Sequence, residues 1–140
     1  MSKFQLSRIS KSDDWRTPEW IYTELDREFK FNDDPCPIGG NGGLDRDWGT
    51  VTFFNPPYSK PEPWVKKAYE ESLKGKVVVG LLRGDTSTRW FHNWVYHKAD
   101  LRFIKGRLKF NNVGPAPFPS IVAVWDNKLR IHGSEKEWKQ

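Results

Sequence analysis

The apolar run Val51-Thr52-Phe53-Phe54 stops at Asn55-Pro56-Pro57-Tyr58, and that junction constrains this 140-residue chain more than any other segment. A short β-branched and aromatic run reads as a buried strand, and the prolines behind it end the ladder because proline has no amide hydrogen to give. A rigid loop therefore begins at the carboxyl end of a strand, which is where open α/β sheets bind ligands. Asn55 offers a side-chain carbonyl, Pro56 a backbone carbonyl with no amide of its own, and Tyr58 an aromatic face. Two acceptors aimed at one exocyclic amine draw its hydrogens out of conjugation and leave nitrogen density to attack a methyl donor, while the tyrosine stacks on the ring. That chemistry is amino-group methylation by S-adenosylmethionine. The plainer reading is an ordinary turn, since Asn-Pro and Pro-Pro are common turn dipeptides.

Length bounds the chain to about one domain with a single core. Eight Trp and nine Phe mean that rings supply much of the apolar area. The 23 Lys and Arg against 18 acidic residues give a net charge of +5, which favours a polyanionic partner such as nucleic acid, or merely a solvated basic surface. One cysteine, Cys36, excludes an internal disulfide and suits a reducing compartment. With no apolar signal core at the amino end and no segment of membrane-spanning length, a cytoplasmic protein with no membrane partner is expected. His92, His97 and His132 are scattered, so no metal site is expected.

Along the chain, residues 1–14 read as a flexible polar segment, 15–126 as the domain, and 127–140 as a charged tail. Thr17-Pro18 reads as an N-cap and first helical residue, ahead of Ile21, Leu25 and Phe29 on one face of a helix ending near Lys30. Residues 31–34 are a short strand candidate. Pro35 to Gly43 holds four glycines and two prolines in nine residues and must be a loop. A second helix is predicted over 61–73, with Val65, Ala68 and Leu73 on one face and Gly75 closing it. Val77 to Leu82 is the clearest buried strand. Thr86 or Ser87 can cap a third helix carrying Trp90, Phe91, Trp94 and Val95. Residues 101–104 and 120–125 read as further strands around a loop at 111–119. Strands alternating with helices of this length predict an α/β sheet covered on both faces.

Other segments carry weaker signals. Asp34 stands at a strand end before a glycine-rich turn whose amides could approach a cofactor, or which is plain surface loop. Asp45 and Asp47 could hold ribose hydroxyls or simply solvate their loop. Arg83-Gly84-Asp85 reads as a strand-to-helix turn.

Taken in order, Trp15-Arg16-Thr17-Pro18, Asp34-Pro35-Cys36, Gly43 to Trp48, Asn55 to Ser59, Trp64 to Ala68, Trp90-Phe91-His92 and Phe103 to Phe110 resemble the phage-type DNA N6-adenine methyltransferases, the compact Dam-like enzymes of phages and prophages. The resemblance runs from about Trp15 to Trp125. It implies a compact, trimmed Rossmann-like methyltransferase fold with a mostly parallel sheet, S-adenosylmethionine as cofactor, and adenine in DNA as target. A phage enzyme of this kind would work in the bacterial host cytoplasm. The resemblance places Trp15, Thr17 and Pro18 against the methionine end of the cofactor and Asp34, Pro35 and Cys36 in the cofactor loop, with Asp47 and Asn55 also contributing. Asn55, Pro56, Pro57 and Tyr58 become the catalytic loop, and Arg107 and Lys109 contact DNA. A base inside a duplex is out of reach, so the target adenine would be everted onto Tyr58. Sequence specificity is expected to be low or short. The alternatives are an amino-methyltransferase acting on RNA or protein glutamine, and a nucleic-acid-binding module without activity.

Overall fold

The structure is a computed structural model, and it describes residues 16–37, 39–109 and 114–127, with the backbone of 135–138. Among these, helix α1 (Glu19–Phe29) is followed by strand β1 (Val51–Phe54), α2 (Glu62–Ser72), β2 (Val77–Arg83), α3 (Arg89–Trp94), β3 (Asp100–Ile104), β4 (Ser120–Asp126) and β5 (Glu135–Trp138). The strands form one sheet in the order β1-β2-β4-β3-β5. Strands β1 and β2 pair in parallel, as do β3 and β5, whereas β4 lies antiparallel between β2 and β3. Four strands thus point one way and β4 alone runs back, and because β4 lies inside the sheet two of the four pairings are antiparallel, so the α/β sheet is mixed and not mostly parallel in its pairing.

Alternation along the strands divides the core between two faces. Val79 and Leu81 of β2, with Val122 and Val124 of β4, pack beneath Ile21 and Leu25 of α1. Val78 and Leu82, with Ile121, Ala123 and Trp125, pack beneath Val65 and Ala68 of α2 and Trp90, Phe91 and Val95 around α3. Because β2 is covered on both sides it carries no polar alternation, and its apolar run is continuous. Phe54 is fully buried across Gly80, where a Cβ would come within 2.6 Å of the phenyl ring. Burying such a ring stabilises the fold by roughly 3 kcal/mol, so glycine at position 80 secures the last residue before Asn55.

Helix ends differ in places from the sequence reading. Pro18, not Thr17, occupies the N-cap of α1, and no side chain caps it. The α3 cap is Thr88, whose hydroxyl accepts from the Phe91 amide at 3.3 Å, rather than Thr86 or Ser87. Gly75 follows α2 with φ +90°, the conformation expected of a helix-stopping glycine. Residues 31–34 make a single parallel bridge, Asp33 to Thr52, instead of a full strand. The charged tail contributes β5, which extends the sheet beyond β3. Residues 1–15, including Trp15, lie outside the described residues. No helix among the described residues is long and apolar enough to cross a membrane.

Candidate active site

Parallel pairing brings the carboxyl ends of β1 and β2 to one edge of the sheet, and β3, parallel to both, ends there too. The segment before β1 reaches the same edge. Asn32 N donates to Val51 O at 2.8 Å and Phe53 N to Asp33 O at 3.0 Å, so residues 32–34 run beside β1 and deliver Asp34 near its end.

At that end, Asn55 Nδ2 donates to Thr17 Oγ1 at 3.1 Å. This bond explains why Thr17 does not cap α1: its hydroxyl is engaged across the loop instead. It also commits the donor end of the Asn55 amide to the protein and so sets which way the amide is turned. Pro56 is buried and Pro57 half-buried, and Lys60 N closes the loop by donating to Pro57 O at 3.2 Å.

Tyr58 is only 8% exposed, and the Phe118 ring meets it at 88° with centroids 4.8 Å apart. The expected stacking platform is therefore covered here by an aromatic from the approach to β4. Burial pushes the phenol far above its ordinary range, and Oη makes no hydrogen bond among the described residues. A buried hydroxyl without a partner costs stability. Tyr58→Phe is accordingly expected to melt at the native temperature or slightly above it and to keep the ring that a base would stack on. Tyr58→Ala should lose about 3–5 kcal/mol in chemical denaturation. A Phe variant destabilised as much as the Ala variant would contradict this picture.

Asp34 accepts from Cys36 N at 3.1 Å. Burial raises its carboxyl to about 6, aided by the neighbouring Asp33 charge and opposed by the Cys36 amide and Arg46. The adjacent acid behaves in the opposite way. Burial also disfavours the Asp33 carboxylate, but Arg46 at 2.8 and 3.1 Å and the Gly49 amide at 2.8 Å outweigh it and hold Asp33 below its ordinary value. Asp33 is thus the structural acid, tying the 46–49 loop to the strand, while Asp34 faces the edge with little solvation.

The sequence-predicted residues divide accordingly. Thr17, Pro18, Asp34, Pro35, Cys36 and Asn55 to Tyr58 gather at the carboxyl edge. Asp47 does not: it is exposed, pairs with Lys74 at 3.3 Å, and sits beside Trp48, whose carbonyl accepts from Lys76 just before β2 begins. Its loop is tied near the amino end of the strands, so the structure does not bring Asp47 together with the other expected cofactor residues. Arg107 and Lys109 are exposed beyond β3, where Ala116 N donates to Leu108 O at 2.8 Å and folds the chain back toward β4. Sequence reasoning missed Arg83, Asp85 and Phe118 as neighbours of the Asn55 to Tyr58 loop; the Arg-Gly-Asp triplet signals only the end of β2 and the turn before α3. Pro56, Tyr58, Pro61, Leu82, Arg83 and Trp90 line a shallow recess there.

The sequence model of the DNA N-6-adenine-methyltransferase (Dam) family matches residues 6–123. The chain is 35% identical over 122 residues to the DNA N-6-adenine-methyltransferase of Haemophilus phage HP1, covering 76% of this chain and 70% of that protein. It is 37% identical over 108 residues to the DNA N-6-adenine-methyltransferase of Escherichia phage T1, covering 67% of this chain and 45% of that protein, so it spans less than half of that relative. Among solved structures, a predicted O-methyltransferase from Agrobacterium tumefaciens aligns with a TM-score of 0.36 at 17% identity, over 70% of this chain and 43% of that one, a likeness too distant to add to the argument. With most of its length inside the family match and the Asn-Pro-Pro-Tyr loop at the carboxyl end of β1, the chain belongs to the DNA N-6-adenine-methyltransferase (Dam) family.

Proposed function

We propose that this protein methylates the exocyclic N6 amine of adenine in DNA, using S-adenosylmethionine and reading a short or degenerate sequence context. The observation that carries the proposal is the Asn55 amide, turned by Thr17 at the carboxyl end of β1 on the edge that also receives Asp34. The residues there suit the cofactor: a poorly solvated carboxylate at a strand end fits a ligand that brings positive charge and hydroxyl donors. Asp34 would hold such groups, with Pro35 and Cys36 lining the loop and Thr17 and Pro18 facing the methionine end. When bound, the cofactor supplies an electrophilic methyl group on a sulfonium.

The chain's own part is orientation. Asn55 Oδ1 and the Pro56 carbonyl accept from the two amine hydrogens, which turns the nitrogen lone pair out of the ring system and along the line of displacement. No dedicated base is required, because the methylated amine can lose its proton after transfer. Tyr58 stacks the everted adenine once Phe118 yields its place. Arg107 and Lys109 contact phosphates, which position DNA without reading it.

Calorimetric titration with S-adenosylmethionine should show saturable binding, and expression in a methylation-deficient host should yield N6-methyladenine in cellular DNA. No binding down to millimolar affinity, about −4 kcal/mol, would overturn the proposal. Methyl groups found only on RNA or glutamine would transfer it to that substrate.

Cofactor affinity should also depend on pH through Asp34. Its folded-state carboxyl titrates near 6, above its ordinary value, so the ionised form that a cationic ligand prefers is present above that pH and lost below it. Affinity is expected to hold above neutrality and to fall several-fold between pH 6 and pH 5. Asp34→Asn should bind weakly and without that dependence. The same raised value means burial of the charge opposes folding at neutral pH, so the ligand-free Asn variant should melt higher. A flat affinity profile in the native chain would remove Asp34 from the cofactor site.

A further inference from the structure

At the exit of β2, three contacts in series end on the catalytic tyrosine. Asp85 Oδ2 lies 2.9 Å from Arg83 Nε, the Arg83 guanidinium lies over the Phe118 ring at 4.6 Å from its centroid, and Phe118 meets Tyr58 at 4.8 Å. The backbone builds this arrangement. Antiparallel pairing sets Arg83 opposite Ser120, and Gly84 N donates to Pro119 O at 2.8 Å, so the end of β2 and the approach to β4 are joined where these side chains meet.

The result is a guanidinium in contact on two sides. Its Nε lies at ion-pair distance from a carboxylate without a directed hydrogen bond, one face rests on an aromatic ring, and 37% of the side chain stays exposed. It lines the recess together with Pro56, Tyr58, Pro61, Leu82 and Trp90. The recess as it stands has no room for a ring, so a base reaches Tyr58 only when Phe118 gives way, and Arg83, beside Asp85 and the amine-binding loop, is then placed to meet that nucleotide's phosphate. Arginine suits that position because its planar fork meets phosphate oxygens in pairs and loses little freedom in doing so when already held. Exposed lysines elsewhere offer charge without that geometry.

We propose that Arg83 clamps the backbone phosphate of the everted adenosine, with Asp85 as its positioning residue. The inference rests on the DNA reading above. Eversion leaves one nucleotide's phosphate close to the loop that receives the base, so a cation aimed there holds the everted state in place for transfer.

The test uses a short duplex carrying the methylated context, with either adenine or an abasic site at the target position. Arg83→Gln is expected to weaken binding to both duplexes by about tenfold or more and to lower the slope of log K against log salt by about one, with cofactor affinity unchanged. Arg83→Lys should restore the slope but only part of the affinity, because charge returns without the fork. Arg83→Met keeps a stem to pack on Phe118, so it separates support from contact. A Met variant that binds both duplexes as the native chain does would overturn the clamp in favour of mere packing. A loss confined to the adenine duplex would overturn it in favour of base reading. If Arg83→Gln fails to fold, the Lys and Met variants still decide. A native chain that binds cofactor but no DNA would overturn the DNA reading itself, whereas normal DNA methylation with a silent Arg83→Gln would overturn only the clamp.

Discussion

Asn55→Ala is expected to lower turnover at saturating cofactor by about a hundredfold or more. Loss of one positioned polar group that acts on the reacting centre typically costs about 3 kcal/mol in the barrier, and Asn55 is such a group. Its stability cost should be far smaller, about 1 kcal/mol for the bond to Thr17 at 3.1 Å, or a few degrees in Tm. Thr17→Val tests the geometry from the other side. It keeps the volume and removes the acceptor, so the amide is no longer held in one rotation and turnover should drop by a lesser factor, about tenfold, while Thr17→Ser restores it. Single-turnover rates at saturating cofactor measure both effects. Near-native rates in Asn55→Ala would end its proposed role.

The parts of this molecule that were legible in sequence are those decided locally. Val77 to Leu82 announced a strand buried on both faces, and Ile21 with Leu25, or Val65 with Ala68, announced helices by their spacing. Asn55 to Tyr58 could be placed at a strand end because proline breaks a ladder wherever it stands. What required the fold were the choices between near-equivalent neighbours. Asp33 and Asp34 are consecutive, and only the position of Arg46 and the Gly49 amide makes one the structural acid and leaves the other at the edge. Thr86, Ser87 and Thr88 can all cap a helix, and the start of α3 selects the last. The insertion of β4 between β2 and β3 is a pairing of strands distant in sequence, to which local pattern is blind. That insertion also hid the burial of Tyr58, since Phe118 approaches it only because β4 returns beside β2.

Glu71 is expected to be the most consequential charged residue for stability. It is 1% exposed, and its carboxylate accepts from the Trp48 amide at 3.2 Å, from Lys74 at 2.9 Å and from Lys76, with Lys67 at 3.6 Å. Burial disfavours the charge, but these donors outweigh it and bring the carboxyl down to about 2. Removing the acid would leave three lysines facing one another and an amide without its acceptor, so Glu71→Ala should cost about 3–5 kcal/mol in urea denaturation. Lys74→Ala should cost far less than Glu71→Ala, because Lys74 is half exposed and Lys76 remains. The sign with pH follows from a carboxyl whose folded-state value lies below its unfolded one. The stabilisation is complete above about 4.5, is lost as pH falls toward 2, and amounts to roughly 3 kcal/mol. The effect should reach the site. Glu71 holds Trp48, whose indole donates to Gly43 O at 2.7 Å and whose ring packs on Phe54, the residue immediately before Asn55. Glu71→Gln, which keeps the shape and some hydrogen bonds, should therefore lose less stability than the Ala variant and should flatten the acid limb of the denaturation midpoint against pH. An unchanged acid limb in Glu71→Gln would show that other carboxylates carry the acid sensitivity of this fold.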